Sequence, residues 1–185
     1  MAELEARDAA DYARGTPQAQ RLRAVAPEVG RLLMTLAIAT GARTILEVGT
    51  SGGYSTLWLA TAAEWTGGRV ITFEVDPDKI ALARRTFDSA GVDSFVDLRP
   101  GDGGAGLAGF HGTADLVFVD SEKDDYERLL ELAIEALRPG GLFVADNLVS
   151  HASQLARFRE LALSDPRLSG VVVPLGGGEL IATKL

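Results

Sequence analysis

Short apolar runs alternate along this chain with longer stretches in which apolar residues recur every three to four positions. The longer stretches predict helices over residues 54–63, 77–90, 126–137 and 155–163. The short runs predict strands over residues 44–48 (TILEV), 69–74 (RVITFE), 95–98 (FVDL), 116–120 (LVFVD) and 142–145 (LFVA). An alternation of strand and helix indicates a parallel sheet whose two faces are both covered by helices.

The two ends of the chain add to this pattern. Residues 1–15 are rich in Ala and Glu and predict a helix before Gly15-Thr16-Pro17, and residues 27–40 predict a second helix. Near the other end, VVVPL and ELIATKL flank Gly176-Gly177-Gly178, which predicts an antiparallel hairpin. We expect Pro139-Gly140-Gly141 to close the helix over 126–137.

These elements predict one α/β domain over residues 1–185, with residues 1–24 as a helical extension. Its core is a doubly wound, mostly parallel seven-stranded sheet with a C-terminal antiparallel hairpin strand. The length of 185 residues and the 46% hydrophobic and 24% charged composition are ordinary for one globular domain.

Composition narrows the classes of function. The chain has no Cys, which excludes disulfides, thiolate–zinc sites and a cysteine nucleophile, and its two His argue against a multi-His metal site. A metal here would be a hard cation on oxygen ligands. The net charge of −8 argues against a nucleic-acid partner. The charged N-terminus and the lack of an 18-residue apolar run favour a cytoplasmic protein without a membrane partner.

Carboxylates stand at the end of every predicted parallel strand. In open α/β sheets ligands bind beyond the carboxyl ends of the strands, so this edge is the candidate site. The strand ends read Glu47-Val48-Gly49, Glu74-Val75-Asp76, Gly101-Asp102, Asp120-Ser121 and Asp146-Asn147.

The first strand-to-helix turn, residues 47–55, is rich in glycine but has neither the G-x-G-x-x-G spacing of dinucleotide sites nor a phosphate-loop motif. Glu47 precedes this loop, which favours a ligand with cationic character over one with phosphates. Glu74 ends the second strand, where a carboxylate can accept hydrogen bonds from both hydroxyls of a ribose. The loop and Glu74 together favour a nucleoside ligand. The alternative is a simple tight turn followed by a solvated strand end.

Five segments in this order and spacing carry a resemblance to a known family: ILEVGTSGGYSTLWLA, VITFEVDPD, DLVFVDSEKDDY, LRPGGLFVADN and the closing hairpin. Residues 25–185 resemble the class I S-adenosylmethionine-dependent O-methyltransferases of the cation-dependent catechol and caffeoyl-CoA type. The resemblance implies a Rossmann-like sheet, S-adenosylmethionine as cofactor and a small catechol-like hydroxyl acceptor. It also suggests a homodimer.

The resemblance assigns roles to residues of this chain. Glu47, Gly49 and Gly53 would line the methionine and ribose part of the cofactor, Ser55 and the backbone near Val25 would meet its carboxylate, and Glu74 would hold the ribose. The adenine would be bordered by Gly101, Asp102 and Gly103, with Ser121 near it. The other cofactor-binding residues would be Thr50, Ser51, Tyr54, Val75 and Asp120. The metal ligands would be Asp120, Asp146 and Asn147, and the catalytic residues Lys123, as general base, and Asp120.

The residue types suit this chemistry. Ends of neighbouring strands lie about 4.8 Å apart, so Asp120, Asp146 and Asn147 could share one ion. Mg²⁺ is the first expectation, with Ca²⁺ or Mn²⁺ as alternatives. The ion would orient two vicinal hydroxyls and lower the pKa of one, and Lys123 would take the proton.

Other interpretations stay open at this point. The same acids could cap loops or form an Asx turn, and Lys123 could be a solvated ion-pair partner among neighbouring acids. A metal-independent methyltransferase, or a non-catalytic or NAD-dependent nucleotide-binding protein, would then remain. The chain also departs from the family: it has Ser51 where many members have glycine, and residues 148–158 and the N-terminus are short. The short segments predict an open acceptor site.

Overall fold

The computed structural model describes residues 1–17 and 20–185, so residues 18 and 19 of the predicted extension lie outside the described residues. The helices are α1 (Ala2–Ala13), α2 (Pro27–Ala39), α3 (Tyr54–Thr66), α4 (Pro77–Ala90), α5 (Gly103–Leu107), α6 (Tyr126–Ala136) and α7 (Ala156–Ser164). The strands are β1 (Thr44–Val48), β2 (Arg69–Glu74), β3 (Val96–Pro100), β4 (Ala114–Val119), β5 (Leu137–Ala145), β6 (Leu168–Val173) and β7 (Glu179–Lys184). Within the described ranges, no helix has the length and apolar character needed to cross a membrane.

All seven strands form one sheet in the order β3-β2-β1-β4-β5-β7-β6. The first five are parallel, whereas β7 runs antiparallel to both β5 and β6. The chain moves outward from β1 to β3 and then returns to the other side of β1 with β4. This reversal opens a crevice beyond the carboxyl ends of β1 and β4, where doubly wound sheets bind ligands.

Two hydrophobic cores lie on the two faces of the sheet, because successive strand residues point to opposite faces. Leu46 and Val117 pack with α5, α6 and α7 on one face. Ile45 and Leu116 pack with α2, α3 and α4 on the other. The predicted doubly wound, mostly parallel seven-stranded sheet with its antiparallel hairpin is therefore confirmed.

Local signals explain why some boundaries were predicted correctly. Helix α4 begins where the Asp76 side chain accepts hydrogen bonds from the backbone N–H groups of Asp78 (2.8 Å) and Lys79 (3.3 Å), with Pro77 in the first turn. It ends at Gly91, whose left-handed conformation (φ 68°) is typical of a helix C-cap.

The prediction for Pro139-Gly140-Gly141 was wrong. These residues do not separate helix from strand, because β5 already begins at Leu137, directly after α6. Leu137 pairs with Ala114, and the register then shifts before Leu116 pairs with Leu142. The Pro-Gly-Gly segment lies at this break in the register. Pro139, which has no backbone N–H, is tolerated there because the ladder is interrupted.

Candidate functional site

The carboxyl ends of β1, β2, β4 and β5 border a cavity of about 710 Å³. Every residue predicted for the site lines this cavity except Glu47 and Gly53. The structure therefore brings the predicted strand ends together at one cavity. The cavity also has a wall that was not predicted, formed by residues of α1 and of the segment that follows it.

The glycine loop fits tightly against the neighbouring strand. Gly49 has φ 101°, and a Cβ at this position would lie 2.0 Å from the carbonyl oxygen of Asp120. Ser51 also has a positive φ of 48°, which costs a non-glycine residue about 1 kcal/mol. Its N–H donates to Glu74 (2.7 Å) and its hydroxyl donates to the carbonyl of Leu22 (2.5 Å), which offsets that cost. The departure from glycine at Ser51 is thus accommodated by hydrogen bonds.

Glu74 is held at the cavity wall by three backbone donors. Its Oε2 accepts from Ser51 N, and its Oε1 accepts from Val75 N (2.9 Å) and Asp76 N (3.0 Å). Three N–H groups fix the carboxylate and leave lone pairs free for further donors, as the hydroxyls of a ribose would require. The neighbouring Val75 side chain is 69% exposed and lines the same cavity, so it offers an apolar surface for a flat ring.

Glu47 and Gly53 shape the loop from behind the cavity lining. Glu47 is fully buried, and its carboxylate accepts hydrogen bonds from the hydroxyls of Ser55 (2.6 Å), Thr56 (2.5 Å) and Thr72 (2.7 Å). Gly53 stands at the N-cap of α3 with φ 89°, where a Cβ would lie 2.5 Å from the Phe87 ring. Their direct contact with a cofactor stays a prediction. Glu47 is connected to the cavity through Ser55.

Burial raises the pKa of Glu47 to about 7, although its three hydroxyl donors oppose the shift. The folded protein therefore holds this proton over a range, between about 4.5 and 7, in which the unfolded chain releases it. The contribution of Glu47 to stability is complete below that range and is lost as pH rises through it. We expect the free energy of unfolding to fall between pH 5 and pH 8, and to fall less steeply in Glu47→Gln.

Urea titrations at the two pH values test this expectation. Glu64→Gln is the matched control, because Glu64 is exposed on α3, and it should keep the wild-type dependence. Equal slopes in wild type and Glu47→Gln would show that Glu47 does not carry the effect.

The part of the cavity at the carboxyl ends of β4 and β5 is acidic. The register of β4 and β5, in which Val119 pairs with Ala145, places Asp120 beside Asp146. Asn147, with a positive φ of 75°, donates from Nδ2 to Asp120 Oδ1 (2.9 Å) and from its backbone N–H to Asp146 Oδ1. Burial, and then the charge of Asp146, raise the pKa of Asp120 to about 6.

Lys123 is the cation inside this acidic cluster. Its Nζ donates to Asp120 Oδ1 (3.3 Å), to the carbonyl of Ser121 (2.8 Å) and to the hydroxyl of Tyr126 (3.1 Å). The Tyr126 hydroxyl, which is buried, in turn donates to the carbonyl of Asp146 (3.2 Å). The Lys123 side chain is only 11% exposed, so it is not the solvated ion-pair partner that one interpretation of the sequence allowed.

The donor types of this cluster are those that a hard divalent cation takes, although the Asn147 amide turns its nitrogen to Asp120 and its oxygen accepts from Ser150 (3.2 Å). Asp120 and Asp146 offer carboxylates and Asn147 offers an amide oxygen, which with waters is a donor set typical of Mg²⁺. The described residues contain no group of three or more His, Cys, Asp and Glu side chains that could hold a metal. Any ion here would therefore depend on the amide and on ligands from outside the chain.

Sequence reasoning missed Glu179. Because Ala145 pairs with Leu180 in the antiparallel ladder, Glu179 lies directly opposite Asp146, on the same side of the sheet. Its side chain is fully buried, and neither oxygen has a donor within hydrogen-bonding distance among the residues that the structure describes. Burial, and then contact with Asp146, raise the pKa of Glu179 to about 10. Only the position of β7 beside β5 reveals this third acid, so no local motif could have shown it.

Arg23 was also missed. It adopts a positive φ of 52°, and its guanidinium donates to Glu122 at 2.5 Å, which joins the N-terminal segment to the loop after β4. The two residues are 99 positions apart in the chain, so a pattern of neighbouring residues could not have indicated the pair.

The fold defines a doubly wound α/β protein with an acid-lined cavity at the carboxyl edge of its sheet. Comparison with known proteins agrees with this class. Residues 11–185 match the O-methyltransferase family. A catechol O-methyltransferase from Mycobacterium tuberculosis is 39% identical over 158 residues, which cover 84% of this chain and 67% of the relative. One from Niastella koreensis is 39% identical over 135 residues, which cover 68% of this chain and 58% of the relative.

Solved structures of O-methyltransferases are also similar to this chain. An O-methyltransferase from Bacillus cereus in complex with S-adenosylhomocysteine has a TM-score of 0.83 and 29% identity, covering 100% of this chain and 91% of its own. The Streptomyces achromogenes O-methyltransferase of tomaymycin synthesis, in complex with S-adenosylmethionine, has a TM-score of 0.83 and 29% identity, covering 98% and 88%. The chain belongs to the O-methyltransferase family. It spans just over half the length of the Niastella enzyme.

Proposed function

We propose that this chain is an S-adenosylmethionine-dependent O-methyltransferase that methylates a hydroxyl of a small, catechol-like acceptor with the help of a divalent cation. The observation that carries the proposal is that Glu74 and the cluster of Asp120, Asp146 and Asn147 line one cavity. Their strands, β2 and β5, are three strand spacings apart, about 14 Å. A nucleoside held at Glu74 therefore has room to extend towards the acids.

The relatives support the cofactor and the acceptor class in this proposal. The Bacillus and Streptomyces structures contain S-adenosylhomocysteine and S-adenosylmethionine, and the Mycobacterium and Niastella relatives are named catechol O-methyltransferases. The net charge of −8 favours a small-molecule acceptor over a nucleic acid.

Different residues of the chain would bind the cofactor, hold the cation and accept the proton. S-adenosylmethionine, when bound, supplies a methyl group that passes to the acceptor oxygen, with the electron pair of the broken bond left on sulfur. A divalent cation held by Asp120, Asp146 and Asn147 would supply the charge that orients two vicinal hydroxyls. Glu74 holds the ribose and so fixes the distance to the acids. Lys123 receives the hydroxyl proton at Nζ once that nitrogen is neutral.

Lys123→Met is expected to lower the turnover number by about 100-fold, the lower end for loss of a general base, with unchanged affinity for S-adenosylhomocysteine. Lys123→Arg separates two roles, because an arginine keeps the positive charge beside Asp120 but does not accept a proton. Turnover should stay low in Lys123→Arg, measured over a range of pH. Restored turnover with an unchanged pH profile would mean that Lys123 acts only as a counter-charge.

The proposal is tested by methyl transfer to a catechol, followed by mass spectrometry. Turnover should disappear in excess chelator and return when Mg²⁺ is added back. Full activity in excess chelator would contradict the role of the cation and leave the methyltransferase assignment standing.

One observation favours a second candidate, a metal-independent methyltransferase of the same fold. The Lys123 ammonium and the Asn147 amide already donate to Asp120, so the chain partly neutralises this carboxylate with its own groups. Under this candidate, the chelator has no effect and the acids are structural.

A further inference from the structure

Helix α1 presents one stripe of side chains to the cavity. Leu4, Asp8 and Tyr12 follow each other at intervals of four residues, so they share one face of the helix. All three line the cavity that also contains Glu74 and the acidic cluster. The predicted helical extension is therefore a wall of the site.

Within residues 1–17 and 20–185, few contacts hold this helix to the rest of the protein. Leu4 is the single buried residue among the twelve of α1. Its side chain packs over Gly52 of the glycine loop, where a Cβ would lie 3.4 Å from a Leu4 methyl. Beside it, the hydroxyl of Tyr54 donates to the carboxylate of Glu5 (2.6 Å). The helix thus rests directly on the predicted cofactor loop through one apolar and one polar contact.

Residues 21–26, which follow α1 in the chain, continue the wall of the cavity. The carbonyl of Leu22 accepts from Ser51 of the glycine loop, and Arg23 pairs with Glu122 beyond β4. A weak bond from Ala24 N to Asp8 (3.4 Å) joins this segment back to the helix. These contacts fasten the segment on both sides of the crevice.

Beyond Leu4, the inner face of α1 is not buried, and Asp8 and Tyr12 both line the cavity. Tyr12 is 76% exposed although it lines the cavity, and Arg21 lies over its ring at 5.2 Å. A helix with one buried residue and two polar contacts to the rest of the described chain, whose remaining stripe faces a cavity, gains contacts when that cavity is filled. By linkage, any stabilisation that a ligand gives to the helix is returned as affinity for the ligand.

We propose that α1 is a cofactor-binding element, whose Leu4–Asp8–Tyr12 stripe closes over the bound sulfonium nucleoside and is itself held in place by it. The identity of that ligand rests on the proposed function. A short N-terminus predicts a site that is open on this side, whereas a stripe that closes over the nucleoside would cover it. Helix α1 then serves to retain the cofactor.

The first experiment measures S-adenosylhomocysteine affinity by calorimetry in the intact chain and in two variants. Leu4→Ala removes the buried contact and Glu5→Gln weakens the bond to Tyr54. We expect the dissociation constant to rise about tenfold in Leu4→Ala and severalfold in Glu5→Gln. Glu3→Gln, an exposed position of the same helix, is the matched control and should bind like wild type.

The second experiment measures hydrogen exchange of the α1 amides with and without S-adenosylhomocysteine. Exchange over residues 2–13 should slow in the complex in wild type and slow less in Leu4→Ala. Unchanged exchange in wild type, or variants that bind within twofold of wild type, would overturn the inference alone. If wild type binds no S-adenosylhomocysteine, the proposed function and this inference are both wrong.

Discussion

Replacing Asp146 by Asn is expected to lower the turnover number on the order of 100-fold, the loss typical of misplaced reacting groups, without weakening cofactor binding. Asp146 is nearly buried beside Asp120 and opposite Glu179. The substitution keeps the size of the side chain and an oxygen that can accept from Asn147 N. It removes the negative charge that would hold a cation and through it the acceptor hydroxyls.

The same substitution should not destabilise the fold. Removing one charge from adjacent buried acids relieves repulsion, so the melting temperature of Asp146→Asn should equal or exceed that of wild type. Asp88→Asn, at an exposed position of α4, controls for loss of an acid elsewhere. Wild-type turnover in Asp146→Asn would favour the metal-independent candidate.

Replacing Glu74 by Gln is expected to weaken S-adenosylhomocysteine binding by at least about 100-fold. Two hydrogen bonds from a ribose to a charged group contribute about 1.5–3 kcal/mol each, and every 1.4 kcal/mol changes affinity about tenfold. The amide also sets an NH₂ against the N–H of Ser51, or against those of Val75 and Asp76, which now donate to the carboxylate. The glycine loop would lose its anchor as well.

Calorimetry on Glu74→Gln checks this, with Glu64→Gln as the control at an exposed position. Far-ultraviolet circular dichroism should show that the sheet is intact in both variants. Binding within threefold of wild type would mean that Glu74 only anchors the loop and does not contact the ligand.

The sequence was most informative where local chemistry decides the structure. Strands β1 and β2 and helix α4 have the predicted bounds, because uninterrupted apolar runs and strong caps leave little choice. The Pro-Gly-Gly segment was misjudged since pairing of Leu137 with Ala114 overrides the tendency of these residues to end an element. That pairing joins distant parts of the chain and has no local signal.

The site likewise contains some residues that the sequence could predict and others that only tertiary packing brings together. Acids at strand ends could be found from sequence because parallel strands bring their carboxyl ends to one edge. Glu179 could not, since it reaches Asp146 only through the order of β5 and β7. The wall formed by α1 depends on the contact of Glu5 with Tyr54, 49 positions later. Contacts of this kind are set by tertiary packing and not by periodicity.

Calorimetry with three ligands tests most directly whether this cavity binds a sulfonium nucleoside. S-adenosylmethionine and S-adenosylhomocysteine should each bind once per chain, while NAD should give no binding heat, since the loop lacks the dinucleotide spacing. Binding of NAD with no response to the two sulfur nucleosides would contradict the account.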